Sequence, residues 1–181
     1  LGHILMPFFK ACPIAALNAC YFQDSDGSYQ TALRLLSVRM DRHGDSAVGA
    51  TPEAALIEWC NDSPEDRFIF AAQTCTLFEG AIHGGDNVVG MASTAVSVLR
   101  NAPNKSAILK IFLGRFHPMA LSGSLATILR QRLMLLDQLR SVGDAALDVL
   151  IDEAKTKFAS AIEREDEREE TDERARTGSF E

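Results

Sequence analysis

The sequence predicts an all-α protein: stacked antiparallel helix pairs, in a HEAT-like array or an irregular helical bundle, with a charged C-terminal helix or tail. Three observations predict it. Apolar residues recur at helical spacing almost throughout, while strand-like alternation never persists and β-branched runs stay short. Helix starts are marked repeatedly, by Ser, Thr or Asn beside Pro or acidic residues. The linkers between periodic segments are short, which favours helices that pack as neighbours. The 181 residues, 46% of them apolar, suffice for one core. The expected division is an all-helical domain over 1–160 and an acidic, charged tail over 161–181.

Taken in order, "LGHILMPFFKACPIAALNACYF" opens the chain. Lys10, Asn18, Pro7 and Pro13 spoil it as a membrane span, so no membrane partner is expected; Pro13 suits the first turn of a buried helix over 13–22. A helix over 28–42 stops at Asp41-Arg42-His43-Gly44-Asp45, where Gly ends it and His lies near the negative helix end. Thr51-Pro52-Glu53 reads as N-cap, first position and acidic first turn of a helix over 52–61. On that helix Leu56, Trp59 and Cys60 share one face and read as core.

Ser63-Pro64-Glu65-Asp66 repeats the device for a helix over 64–79. The Ser hydroxyl is placed to accept from a free amide, and Pro gives up an amide that has no partner anyway. His83-Gly84-Gly85-Asp86 serves as a turn and a cap for a helix over 87–101. "AVSVLRNAPNKSAILKIF" is then a helix end, an Asn-Ala-Pro-Asn turn and a second helix over 104–116 capped by Asn104, the clearest antiparallel pair in the chain. Helices over 123–142 and 145–176 follow. The ending "EREDEREETDERARTGSFE" has almost no apolar residue, and reads as a solvated, frayed helix or disordered end, or as an acidic contact segment. No strict internal repeat aligns.

Charge is unevenly placed. The whole chain carries net −7, yet residues 100–143 hold seven basic residues and a single acid, Asp137. Arg100, Lys105, Lys110, Arg115, Arg130, Arg132 and Arg140 make up this stretch. It reads either as a surface for nucleic acid phosphates or an acidic partner, or as the internal counterpart of the acidic regions on both sides; the acidic overall balance favours the second. The four cysteines show no C-x-x-C spacing and the four histidines are scattered singly, so no metal and no cofactor is expected; free thiols fit a cytoplasmic protein.

The one stretch that resembles a site is Ser122-Gly123-Ser124, preceded by Arg115 and His117. A helix N-terminus, a flexible Gly and nearby cations meet the needs of an anion site. The spacing is not that of a P-loop or a hydrolase elbow, and helix capping by Ser122 or Ser124 is the plainer role. In the following helix Ile128, Leu129, Leu136 and Leu139 lie within about 60° of Leu125 on one stripe, and Arg132 falls in its middle, at about −20° from Leu125. A guanidinium there needs a carboxylate or carbonyls, with Asp62, Glu65 or Asp66 as expected partners, or it faces a binding groove. The candidate binding residues are therefore Arg132, Arg115, His117, Ser122, Ser124, Lys105 and Lys110. No catalytic residue is assigned.

Three stretches carry a family resemblance: "PEAALIEWCNDSPEDRFIFAAQTCTLFE", "VLRNAPNKSAILKIFLGRFHPMALSGSLATILRQRLMLLDQL" and the charged ending that closes in Ser179-Phe180-Glu181. Together they resemble the C-terminal helical-repeat region of large bacterial NTPase-type proteins of phage-defence and related conflict systems. That resemblance implies a scaffold or sensor part of a longer polypeptide, with the chemistry in an N-terminal effector and a central P-loop ATPase. It fits a chain that begins with Leu1. Walker motifs are absent here, so no catalytic residue carries over.

The readings that follow are a non-enzymatic interaction module whose partner is a protein or other domains of the same polypeptide; a nucleic-acid-contacting helical module using residues 100–143; and a small helical enzyme acting on an anionic substrate through Arg115, His117 and the Ser122–Ser124 loop.

Overall fold

The computed structural model describes residues 2–21, 46, 48–80, 88–116, 124–141 and 143–177. They are mostly helical, with one very small antiparallel sheet. In chain order the elements are α1 (Gly2–Ala11), α2 (Pro13–Cys20), α3 (Glu53–Asn61), α4 (Pro64–Thr74), β1 (Phe78–Glu79), β2 (Gly90–Met91), α5 (Ser93–Asn101), α6 (Lys105–Gly114), α7 (Leu125–Leu135), a 3₁₀ turn (Leu136–Leu139) and α8 (Ala145–Thr177). The expected helix over 28–42, the 41–45 loop, His83–Asp86, His117, Ser122 and Gly123 lie outside the described residues.

The core runs along the whole assembly. Trp59, Phe68, Phe70, Phe112, Phe116, Leu56, Leu99 and Leu129 are all fully buried. Helix α4 sits at its centre, packed against α3, α5 and α6; α2 joins α1 to α3, and α8 lies on α7, α6 and the 3₁₀ turn. The expected core face of α3 is present, with Leu56, Trp59 and Cys60 all at 0% exposure. Around it Tyr21, Trp59 and Phe70 meet edge to face, with centroids 5.2–5.9 Å apart, and the Trp59 indole N–H donates to Asn18 at 2.7 Å. Arg67 lies over the Trp59 ring at 4.7 Å.

The element boundaries depart from the expectation at several places, and the helix expected over 123–142 ends at Leu135 and goes on as the 3₁₀ turn Leu136–Leu139. An additional helix, α1, precedes Pro13 and contains Pro7. The cap of α3 is Pro52, not Thr51, which is itself buried. Ser63 occupies the N-cap of α4, but its side chain makes no cap bond there, so Pro64 and the acidic first turn mark that start alone. Helix α4 ends at Thr74 instead of 79: Cys75 is extended (ψ 155°), and the β-branched and apolar run after it enters β1. The same ribbon takes the start of the helix expected over 87–101, because Gly90–Met91 pairs antiparallel with Phe78–Glu79. Gly80 supplies the positive φ (76°) with which the chain leaves β1. Asn104, by contrast, caps α6 as expected, its Oδ1 accepting from the Ala107 amide at 3.0 Å.

Candidate functional site

The first turn of α7 is built from Ser124. Its Oγ accepts from the Thr127 amide at 3.1 Å, the expected cap bond. An N-terminus of this kind still presents free amides and a positive end of the helix dipole. Glu169 of α8 meets both needs. Its Oε1 accepts from the Leu125 amide at 2.8 Å and from Ala126 at 3.4 Å, and the Ser124 hydroxyl bonds to the same carboxylate. These bonds, the Ser124 one first, hold Glu169 below the ordinary carboxylate pKa. One turn further along, Arg130 of α7 pairs with Asp166 of α8. The anion at this helix end is thus a carboxylate of the chain itself.

Arg132 is 5% exposed and lies on the α7 stripe with Ile128 and Leu129, which are also buried. Its Nη1 donates to the Phe116 carbonyl, and the guanidinium stands 4.9 Å from the centroid of the Phe78 ring. Phe116 in turn meets Phe78 and Phe158 edge to face. The side chain therefore ties α7 to β1 and to the residues after α6. Of the acids expected near it, Asp62 pairs instead with Arg67, at 2.9 Å.

Arg115 follows α6 and reaches the end of α4, donating to the carbonyls of Ala72 at 2.6 Å and Cys75 at 2.7 Å. A helix C-terminus offers unpaired carbonyls and the negative dipole end, and a guanidinium fork suits both. Arg100 donates to the Arg140 carbonyl at 2.6 Å, and Lys105 pairs with Asp144. Arg140 joins the 3₁₀ turn to α8 through Asp137 at 3.0 Å, Asp148 at 3.3 Å and Asp152, while Lys155 takes the other oxygen of Asp137 at 2.7 Å. Lys155 and Arg140 hold Asp137 low, and Lys105 with the Leu147 amide does the same to Asp144. Lys110 is exposed on α6. Six of the seven basic residues in the 100–143 stretch thus contact carboxylates or backbone carbonyls of this chain.

The structure brings Ser124 together with Glu169 and Asp166, which sequence reasoning left out of the site. It places Arg115 and Arg132 apart from that cap, each on a carbonyl. The missed residues gave one faint signal: helix N-termini attract acids, and the tail is rich in them. Nothing local said which of its glutamates would arrive.

Among the described residues no group of three or more His, Cys, Asp or Glu side chains is placed to hold a metal ion. All four cysteines are free thiols. Burial pushes the Cys60 thiol up to about 12 and raises Cys75 as well, which makes both poor nucleophiles. A cleft of about 350 Å³ opens between the start of α4 and the α5–α6 turn, lined by Pro64, Glu65, Phe68, Ile69, Pro103 and Ile108. It holds one carboxylate and no acid–base pair. Among the described residues no helix is long and apolar enough to cross a membrane. No known family, no curated protein and no solved structure matches the chain.

Proposed function

We propose that the chain is a non-enzymatic helical scaffold or interaction module, sensor-like in character, whose helices stack as antiparallel pairs in a HEAT-like manner. One observation carries this reading. The described side chains best suited to chemistry or to anion binding, Arg115, Arg132 and Ser124, each bind backbone or side-chain groups of the fold. What remains for the outside world is surface: Phe8, Val89, Met134 and Val149 are large apolar residues between 57% and 75% exposed. The resemblance to the C-terminal arm of bacterial phage-defence NTPases supports a place inside a longer cytoplasmic polypeptide, with other domains of that polypeptide as the first partners.

The test has three arms. The reading frame upstream of the Leu1 codon is sequenced; a continuous frame encoding a strand–GxxxxGK[ST]–helix supports the arm of an ATPase, and a start codon directly before Leu1 removes it. In parallel the chain is titrated with labelled DNA and RNA. Binding that weakens steeply with salt and is lost in Lys110→Glu favours the nucleic-acid module instead. Turnover of an anionic substrate that disappears in a folded Ser124→Ala or Arg115→Ala variant favours the enzyme.

A further inference from the structure

Helix α8 is held along its length by two different kinds of force. Up to Ile162 it is held by apolar burial, with the Arg140–Asp148, Arg140–Asp152 and Lys155–Asp137 ion pairs at its edge. Leu147, Ile151, Ala154, Phe158 and Ile162 recur every three or four residues, and all are buried. From Glu163 to Ala175 no residue is buried. Over this stretch polar groups reach the rest of the fold: Asp166 pairs with Arg130, and the Glu169 carboxylate accepts from Ser124 and from the Leu125 and Ala126 amides. Its own ladder adds Arg168–Glu165 and Arg174–Glu170, pairs within α8 that stabilise the helix.

We infer that residues 163–177 form an ionic latch: Glu169 and Asp166 clip this segment onto the first turns of α7, and the latch opens without unfolding the core. The inference is independent of the scaffold reading. Opening frees an acidic helix arm, in which eight acids face four basic residues, and uncovers the amides that Glu169 satisfies. The latch responds to ionic strength because its contacts are charged and close to water. The screening length falls from about 10 Å at 0.1 M salt to about 3 Å at 1 M. Apolar burial up to Ile162 does not weaken under the same change.

Arg164 and Arg168 lie in the segment and provide the readout, since trypsin cuts after arginine once the backbone can leave the helix. The full chain is digested at roughly 0.1 M and 1 M salt, with rates normalised to a short peptide substrate. The expected result is severalfold faster cleavage at Arg164 and Arg168 in high salt. The pair Glu169→Gln and Asp166→Asn gives that speed already in low salt and removes most of the salt effect. Glu170→Gln breaks a pair within α8 alone and leaves the rate near that of the unaltered chain. Equal rates for all variants at both salt concentrations overturn the latch. So does an equal acceleration by Glu170→Gln, which makes the segment's own helix stability the controlling factor. A fall in the cooperative melting temperature of the Glu169→Gln, Asp166→Asn chain, in step with its cleavage, also overturns it, because the segment is then part of the core.

Discussion

At the scale of single residues, Arg132 is the clearest case of a charge that works from inside. Its place in the middle of an apolar stripe is legible from helical spacing alone. Its partners are not, because the Phe116 carbonyl and the Phe78 ring come from other segments, which only the tertiary fold brings to it. Arg132→Ala removes a long buried side chain and leaves the carbonyl without this donor, so a loss of about 2–4 kcal/mol is expected in urea unfolding. Arg132→Met refills the space without restoring the donor and recovers about half of that. If Arg132→Ala unfolds like the unaltered chain, the side chain has no packing role. The buried thiols give a second test at this scale. Cys12 is exposed, whereas Cys60 and Cys75 are at 0% exposure with raised pKa values. A disulfide reagent at about pH 8 titrates Cys12 rapidly in the native state and reaches Cys60 and Cys75 only as the protein unfolds. Rapid native labelling of Cys60 contradicts the packing of α3 against α4.

At the scale of elements, the helices announced by Pro and Asn start where the sequence placed them to within a residue or two: Pro13, Pro64 and Asn104 each stand at or beside an observed start. Local signals succeed there because cap chemistry is decided within four residues. The errors cluster where a distant contact decides. Helix α4 stops at Thr74, where Arg115 takes up the Ala72 and Cys75 carbonyls from more than thirty-five residues away in sequence. The β1–β2 ribbon is too short for any alternation to show, and it rests on Gln138 of the 3₁₀ turn, whose Oε1 accepts from the Met91 amide at 2.8 Å. Helix α1 contains Pro7, which lowers helix propensity, and contact with α2 overrides that penalty. Two substitutions separate local from distant control. Asn104→Ala removes one cap bond and lowers stability by about 1 kcal/mol. Arg115→Ala orphans two carbonyls at the end of α4 and costs about 2 kcal/mol or more. If Arg115→Ala proves the milder of the two, other donors satisfy the end of α4.

At the scale of the whole molecule, the uneven charge of the sequence turns into an architecture. The basic 100–143 stretch and the acidic 144–181 stretch read as separate blocks along the chain, and they meet in space: Lys105 with Asp144, Arg130 with Asp166, and Arg140 with Asp148 and Asp152. Opposite charge was legible; the choice of pairs was not, since it depends on the register of α8 against α7. The meeting has a consequence for acid stability. Asp137 and Asp144 are both held below their ordinary pKa values by hydrogen bonds. Each is more acidic folded than unfolded, so each contributes stability that is fully present above the ordinary carboxylate pKa of about 4 and lost as pH falls through the lower folded value. Between about pH 5.5 and 8 these two groups leave the urea midpoint flat; below about pH 4 the midpoint falls. The pairs are largely open to solvent, so the contribution of each is small, and the acid loss is expected to be shallower at about 1 M salt, where the native pairs are already screened. Asp137→Asn and Asp144→Asn together flatten the same curve from the acid side. An acid transition unchanged by both, and by salt, assigns acid sensitivity to other groups and reduces these two charge pairings to geometry without energetic weight.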